Sequence, residues 1–373
     1  MARVETKTRF EILAMRITIV LAGGFGLAGG ERNLAEWARH LQQRGHQVLL
    51  ISPPPRAPKL RERVRAWRHG CFRRASTASH FDNVNVPRIL LDRFRPVTDQ
   101  DLPDAEIVIA TWWETAEWVA ALSSRKGAKV YLIQHHEVFD YMPQARVAAT
   151  YHLPLQKIVT SSWLRNVMRD VYGDAEAVLI AQGVDRTLFD APPRCKQAVP
   201  TFGFMYSSLH WKGCDVVLNA IKLAQVQLPH LRIVAFGAEN PTAQLPLPRG
   251  AVFVKQPPQT LLSELYAQCD AWLFGSRSEG FALPPMEAMA CRTPVIGTPA
   301  GGEAELIAQG GMLVPQEDFA AMALQMLAVG EMSDDAWRAL SDKAYAAIAP
   351  YSWERSTDQL ETALYCAVAR AAH

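Results

Sequence analysis

Two glutamates, Glu279 and Glu287, stand eight positions apart on either side of the run Gly280-Phe281-Ala282-Leu283-Pro284-Pro285. That run has the composition of a helix entrance. Gly280 permits a sharp turn, and a proline in the first turn of a helix gives up only an N–H that has no partner there. The prolines donate nothing, so the amides left to face a ligand belong to Phe281, Ala282, Leu283 and Met286. Amides converging at a helix N-terminus suit an anion, and phosphate is the usual occupant. Carboxylates beside a phosphate are unfavourable unless they bind something else, and sugar hydroxyls are donors that suit them. Anion-binding amides between two hydroxyl-binding acids describe a nucleotide-sugar site, with the ribose on one side and the transferred sugar on the other.

The elements that must position this site are legible nearby. Ala271-Trp272-Leu273-Phe274 is an apolar run that reads as a buried strand delivering the segment to its end. The helix continues through Met286–Ala290, and Thr293-Pro294-Val295-Ile296 begins the next strand. The stretch from Glu279 to Cys291 closely resembles the E-x7-E signature of the family 4 retaining glycosyltransferases, which have the GT-B fold. The usual motif has glycine where this chain has Ala282, which adds a methyl beside the phosphates. By that resemblance Glu287 holds the ribose diol and Glu279 the hydroxyls of the donor sugar. Gly280, Phe281, Ala282 and Leu283 complete the donor-binding segment.

Composition bounds the rest. A chain of 373 residues with 49% hydrophobic content suggests an ordinary soluble protein of two domains. A formal net charge of +2 does not point to nucleic acid as a partner. The six cysteines are scattered with no C-x-x-C pair, against a zinc site or disulfide framework and in keeping with a reducing cytosol. The N-terminus is basic and then apolar, like a signal peptide, but Arg16 interrupts the apolar run, and Ile17–Gly30 is too short to span a bilayer. Residues 16–21 read instead as a first strand, and a start at Met15 would leave 1–14 as a disordered extension.

That strand leads into Gly24-Phe25-Gly26-Leu27-Ala28-Gly29 and a helix over 30–44 with Leu34, Trp37, Ala38 and Leu41 on one face, ended by Gly45. G-x-G-x-x-G after a strand is the fingerprint of dinucleotide binding. Here the second strand, 47–51, ends in Ser52-Pro53-Pro54-Pro55, with no acid for the adenosine ribose. The reading preferred is a turn closing over the donor phosphates through Gly29 and Gly30, because Gly29-Gly30-Glu31 resembles the Gly-Gly-x-Glu turn of these glycosyltransferases. An NAD-dependent oxidoreductase and a purely structural turn stay open. Residues 56–74 carry eight Lys and Arg against Glu62 alone. Arg61, Arg65 and Arg68 fall at helical spacing, either as a solvated face or as a contact for an anionic membrane surface or lipid-diphosphate acceptor.

Further strands are expected at 107–110 and 129–133. Asp99-Gln100-Asp101 is formally a metal motif of another glycosyltransferase fold, but it sits in a polar loop before a strand and reads as coincidence. The fourth strand runs into Gln134-His135-His136-Glu137. By the resemblance, His135 or His136 faces the donor sugar; a satisfied loop histidine is the alternative. Neighbours in extended chain alternate, so the three side chains cannot all point one way. The segment from Thr111 to Pro143 looks like a bacterial polysaccharide-assembly branch of the family.

A second α/β unit begins at 201–206. Its turn carries Lys212, and family members place an arginine five residues earlier, where this chain has Ser207. The pair normally neutralises the diphosphate, so Lys212 carries more of the load here, with His210, Arg277 or the first domain as substitutes. Strands and helices alternating twice over give the expected fold: two doubly wound, Rossmann-like parallel sheets facing a cleft, with a C-terminal helix crossing back to the first domain. The expected bounds are 1–192, 198–350 and a crossover helix over 351–373. The resemblance implies transfer of a hexose-type sugar from a nucleotide-sugar donor to a glycan or lipid-linked acceptor, with retention, no cofactor and no metal. Glu279, Lys212, His135 and His136 would serve the chemistry, with no covalent nucleophile. The expected place is the cytoplasm, peripherally at the inner face of the plasma membrane. A non-catalytic sugar-nucleotide-binding subunit of the same fold is the rival reading.

Overall fold

A computed structural model of the chain describes residues 14–56, 79–82 and 84–372. The extension expected at 1–14 lies outside the described residues except for Ala14, and the basic run 56–74 lies outside them except for Arg56. Arg56 pairs with Glu114 and lies 4.3 Å from the centre of the Phe94 ring. Within the described residues the chain divides into two compact units. The first draws on the described residues up to Leu132, Glu137–Lys157 and those from Leu360 onward, and the second comprises Ile133–His136 and Ile158–Gln359.

The N-terminal sheet is built from β1 (Arg16–Val20), β2 (Gln47–Ser52), β3 (Arg88–Leu90), β4 (Ile107–Ala110), β5 (Ala128–Ile133), β6 (Gln156–Val159) and β7 (Val178–Leu179), in the order β3-β2-β1-β4-β5-β6-β7. Pairing is parallel: Ile17 faces Val48 on one side and Ile107 on the other. Helices α1 (Gly29–Gln43), α2 (Trp113–Ala121), α3 (Gln144–Thr150) and α4 (Ser162–Tyr172) make the crossovers. Strands buried on both faces must be apolar throughout, and β4 is buried at all four positions. The face expected of α1 is the one it buries: Leu34, Trp37, Ala38 and Leu41 are each no more than 3% exposed. Gly45 follows with φ +93°, the left-handed stop that glycine tolerates.

The second sheet has six strands, β8 (Thr201–Tyr206), β9 (Arg232–Gly237), β10 (Val252–Lys255), β11 (Ala271–Phe274), β12 (Val295–Gly297) and β13 (Met312–Leu313), in the order β10-β9-β8-β11-β12-β13. Its helices are α5 (Cys214–Ala224), α6 (Gln259–Ala267), α7 (Leu283–Ala290), α8 (Glu303–Gly310), α9 (Phe319–Glu331) and α10 (Asp334–Ala347). The order reverses between β8 and β11. In open parallel sheets the crevice beyond the carboxyl ends of such strands is where ligands bind. The segments leaving β8 and β11 are those that carry Ser207, Lys212, Glu279 and the helix entrance.

The last helix, α11 (Trp353–Ala371), passes from residues of the second unit into residues of the first. In the first unit its Glu361 accepts from Arg44 Nη1 at 3.0 Å and lies 2.7 Å from His46 Nε2.

Trp272 anchors β11. It is fully buried, stacks on Phe236 with centroids 5.3 Å apart, and meets Tyr266 edge-on at 4.5 Å. Trp272→Ala should therefore cost about 3–5 kcal/mol through lost transfer energy and the cavity left behind. Urea denaturation checks this: the midpoint should fall while the m-value stays unchanged.

Candidate functional site

The loop after β11 is held by backbone contacts that only glycine allows. A Cβ on Gly280 would lie 1.6 Å from the Gln134 carbonyl oxygen, and one on Gly301 would lie 1.9 Å from that of Glu279. Gly213, at φ +56°, would place a Cβ 1.8 Å from the Gly275 oxygen. Hydrogen bonds cross the same contacts: the Glu279 amide donates to Ala300 O at 2.9 Å and the Gly302 amide to Gly280 O at 3.1 Å.

This seat fixes Glu279, which is 9% exposed. Lys212 Nζ donates to its Oε1 at 2.7 Å, and Ser276 Oγ donates to the same oxygen at 2.9 Å. Pairing offsets much of the desolvation that burial imposes on either charge. His135 comes to the same place, with Nε2 3.4 Å from Ser278 Oγ and Nδ1 3.0 Å from the His136 carbonyl. Burial lowers the His135 pKa below the ordinary histidine value, against the opposing pull of neighbouring backbone and Glu279. His136 turns elsewhere: its Nε2 lies 2.7 Å from Tyr172 Oη and its ring meets Trp163 edge-on. Glu137 is buried in the first unit, where it accepts from the Trp113 amide at 2.9 Å, and burial pushes its pKa well up. The three consecutive side chains take three directions, and it is His135 that joins Glu279 and Lys212.

Helix α7 starts at Leu283 with Ala282 as N-cap and the prolines in its first turn. That register makes the Ala282 carbonyl the regular acceptor for Met286, so Met286 leaves the set of free amides; Phe281, Ala282 and Leu283 remain. Glu287 is 4% exposed and accepts from Tyr266 Oη at 2.8 Å. Ser207 stands at the start of the turn, where its Oγ accepts from the Leu209 amide at 3.3 Å. Arg277 is not a spare cation, because Asp215 takes both its terminal nitrogens at 2.9 and 2.7 Å and Glu317 takes a second pairing. Lys212 is thus the cation bound to a site acid, and Arg277 is engaged by two acids of its own.

In the first unit, Gly29 and Gly30 open α1, and the Glu31 carboxylate accepts from the amides of Gly26 and Ala28 at 3.0 and 3.1 Å. Gly24, at φ +91°, donates to Ser52 Oγ at 2.8 Å. The acids of Asp99-Gln100-Asp101 go into the fold: Asp101 binds Arg95 through two 2.7 Å bonds, and Asp99 accepts from the Ser123 amide at 3.0 Å.

Glu303 escapes the sequence reading. It opens α8, is fully buried, and accepts from the Ala300 amide at 2.9 Å. Its Oε2 has no hydrogen-bond partner among the described residues. Burial, with Glu279 nearby, pushes its carboxyl up to about 7 against the neighbouring amides. The available signal was Gly301-Gly302: adjacent glycines mark a close backbone approach, and the next side chain is sealed in behind it.

Two family models divide the chain between them, one described as Glycosyltransferase Family 4 over residues 27–188 and one as Glycosyl transferases group 1 over 186–346. The chain belongs to the family 4 glycosyltransferases. Its fold is GT-B: the Anabaena Alr3699/HepE structure in complex with UDP superposes with a TM-score of 0.72 at 18% identity, covering 94% of this chain and 100% of that one. Sucrose-phosphate synthase from Thermosynechococcus elongatus gives 0.69 at 17% identity, over 95% and 99%. Among curated relatives, a D-inositol 3-phosphate glycosyltransferase of Corynebacterium urealyticum is 33% identical over 177 residues, 42% of this chain and 41% of that one. An O-antigen chain mannosyltransferase B of Escherichia coli is 31% identical over 103 residues, 27% of this chain and 26% of that protein. The match therefore spans less than half the length of either of these curated relatives. Among the described residues of this family 4 chain, no helix is long and apolar enough to cross a membrane.

Glu303 carries a stability prediction. Its pKa rises from the ordinary 4.5 to about 7 on folding, so between those values the folded chain holds a proton that the unfolded chain has released. Its contribution therefore falls as pH rises, and is least favourable above 7, where the buried group ionises. Glu303→Gln removes that penalty, which is about 3 kcal/mol at most. The variant should melt above the native chain at pH 8, and the gap should close by pH 5.

Proposed function

We propose that this chain is a retaining, metal-independent hexosyltransferase that moves a sugar from a nucleotide-sugar donor to the hydroxyl of a glycan or lipid-linked acceptor, in cell-surface polysaccharide or glycolipid synthesis. The observation that carries the reading is the convergence of Lys212, Glu279 and His135 beside the α7 entrance, beyond the carboxyl ends of β8 and β11. The donor's diphosphate sits against the amides of Phe281, Ala282 and Leu283. Glu287 holds the ribose diol, and Glu279 the hydroxyls of the sugar. As the bond to the anomeric carbon breaks, negative charge grows on the leaving diphosphate, and Lys212 with the preorganised amides stabilises it there more than in the ground state. His135, kept toward its neutral form by burial, positions the sugar by hydrogen bonding. A HepE structure with UDP-glucose supports the donor class, and the name of one curated relative, the O-antigen chain mannosyltransferase, supports the surface-glycan setting.

A thermal-shift panel of nucleotide sugars is the first test. Ligand at about 100 times its dissociation constant adds roughly 2.7 kcal/mol of stability, so the right donor should stand out. No stabilisation by any donor would remove the reading. Donor hydrolysis by the purified chain separates an enzyme from a non-catalytic binding subunit. The anomer of the product, read by NMR, checks retention.

Lys212→Ala should lower turnover by roughly 10²–10³, the usual result of losing one preorganised donor at a developing anion. The effect should appear in kcat with the fold intact, and EDTA should leave the native enzyme active. Loss of transfer in EDTA with rescue by a divalent metal would overturn this account of the leaving group. A basic run at 56–74 docking on anionic membrane gives a further expectation: liposome co-sedimentation should fall with salt and with Arg→Gln at Arg61, Arg65 and Arg68, each residue near the surface being worth about 1 kcal/mol.

A further inference from the structure

We propose that Glu303 is a positioning residue of the donor loop, and that binding of the anionic donor is coupled to proton uptake at its carboxyl group. The proposal rests on the donor reading above and adds a residue and a proton to it. Glu303 sits at the first position of α8 and is fully buried. One of its oxygens takes the Ala300 amide at 2.9 Å, while the other is buried with no hydrogen-bond partner among the described residues. A carboxylate in that situation is costly as an anion, and much less so as a neutral acid.

The same short loop clamps Glu279. Ala300 receives the Glu279 amide at 2.9 Å through its carbonyl while its own amide serves Glu303, so one residue ties the Glu279 backbone to the Glu303 side chain. Gly302 donates to the Gly280 carbonyl at 3.1 Å, and Gly301 leaves no room for a Cβ against the Glu279 oxygen. The charged group acting on Glu303 is Glu279, which disfavours its ionised form, while the amides of Glu303, Ala300 and Gly301 favour it. Lys212 and His135 meet Glu279, which the one binds and whose charge the other feels.

A diphosphate at the α7 entrance adds negative charge to this neighbourhood. Ionised Glu303 would then be an anion without a cationic partner among the described residues, behind the loop that must hold the donor. Protonation removes that repulsion and keeps the Ala300 bond, which a neutral carboxyl still accepts. Donor affinity should therefore decline as pH rises above neutrality, and binding at neutral pH should draw a proton from the buffer.

Isothermal titration of UDP, GDP and ADP, in two buffers of different ionisation enthalpy, measures that proton directly. The native chain at pH 7 should take up about half a proton more than Glu303→Gln, whose uncharged amide cannot titrate. The phosphates and His135 titrate in both chains, so the difference isolates Glu303. Between pH 6 and 9 native affinity should fall more steeply than that of Glu303→Gln, which should bind about tenfold tighter than native at pH 9 and equally at pH 6. Glu303→Asp, which keeps a titratable group, should retain the proton uptake. A purely structural role would instead weaken Glu303→Gln by the same factor at every pH, and equal proton counts in native and Gln chains would overturn the proposal. If no nucleotide binds even the native chain, the donor reading itself falls, and the proposal with it.

Discussion

Backbone touches backbone around Glu279, and the seating of that acid beside Lys212 depends on the contact. Gly280 lies against the Gln134 carbonyl, Gly301 against that of Glu279, and Gly213 against that of Gly275, each so close that a Cβ would overlap the oxygen. Gly302 does the same against the side chain of Ser161, where a Cβ would lie 2.2 Å from Cβ. Segments distant in sequence are brought together with no side chain between them. Three of these glycines need no unusual φ, so their requirement is room alone; Gly213 needs both room and a left-handed turn.

Such close packing decides how charge is distributed. There is little water to screen a buried ion, so each must be neutralised by a neighbour or by its own proton. Glu279 has Lys212 and a serine hydroxyl on one oxygen. Arg277 has two acids, Asp215 and Glu317, which raise its pKa further above the usual range. That arrangement sets the consequence of having Ser207 where an arginine is usual. The nearby arginine is already balanced, so a diphosphate would meet one ammonium, the dipole of α7 and three amides. Lys212 would exchange one anion, Glu279, for another, the phosphate, which would link that acid to the charge state of the leaving group.

Much of the fold was legible because its elements obey short-range rules. Helix α1 buries Leu34, Trp37, Ala38 and Leu41, the face its periodicity marks, and β8 and β11 span the residues expected of them. The site was legible where glycine and proline restrict the backbone, at 280–285. It was not legible where tertiary contact decides. Alternation along extended chain says that His135 and His136 diverge, but only Ser278 and Tyr172, 143 and 36 residues away, decide which goes where. Arg277 looked available from its position, and only the fold brings Asp215 and Glu317 onto it.

The tripeptide Gly-Gly-Glu shows the same limit in its sharpest form, since it opens a helix twice, at Gly29-Gly30-Glu31 and at Gly301-Gly302-Glu303. Both acids fold back on the turn before their helix, and burial raises the pKa of each. Glu31 is half-buried and collects two amides on one oxygen, so its charge is met by the turn it closes. Glu303 is sealed in, with the Ala300 amide on one oxygen, no hydrogen-bond partner for the other among the described residues, and an acid for a neighbour. Local pattern fixes the turn in both places, and the difference lies in what packs over it. More open packing leaves Glu31 met by the amides of its own turn, whereas close packing near Glu279 leaves Glu303 with an oxygen that has no hydrogen-bond partner among the described residues.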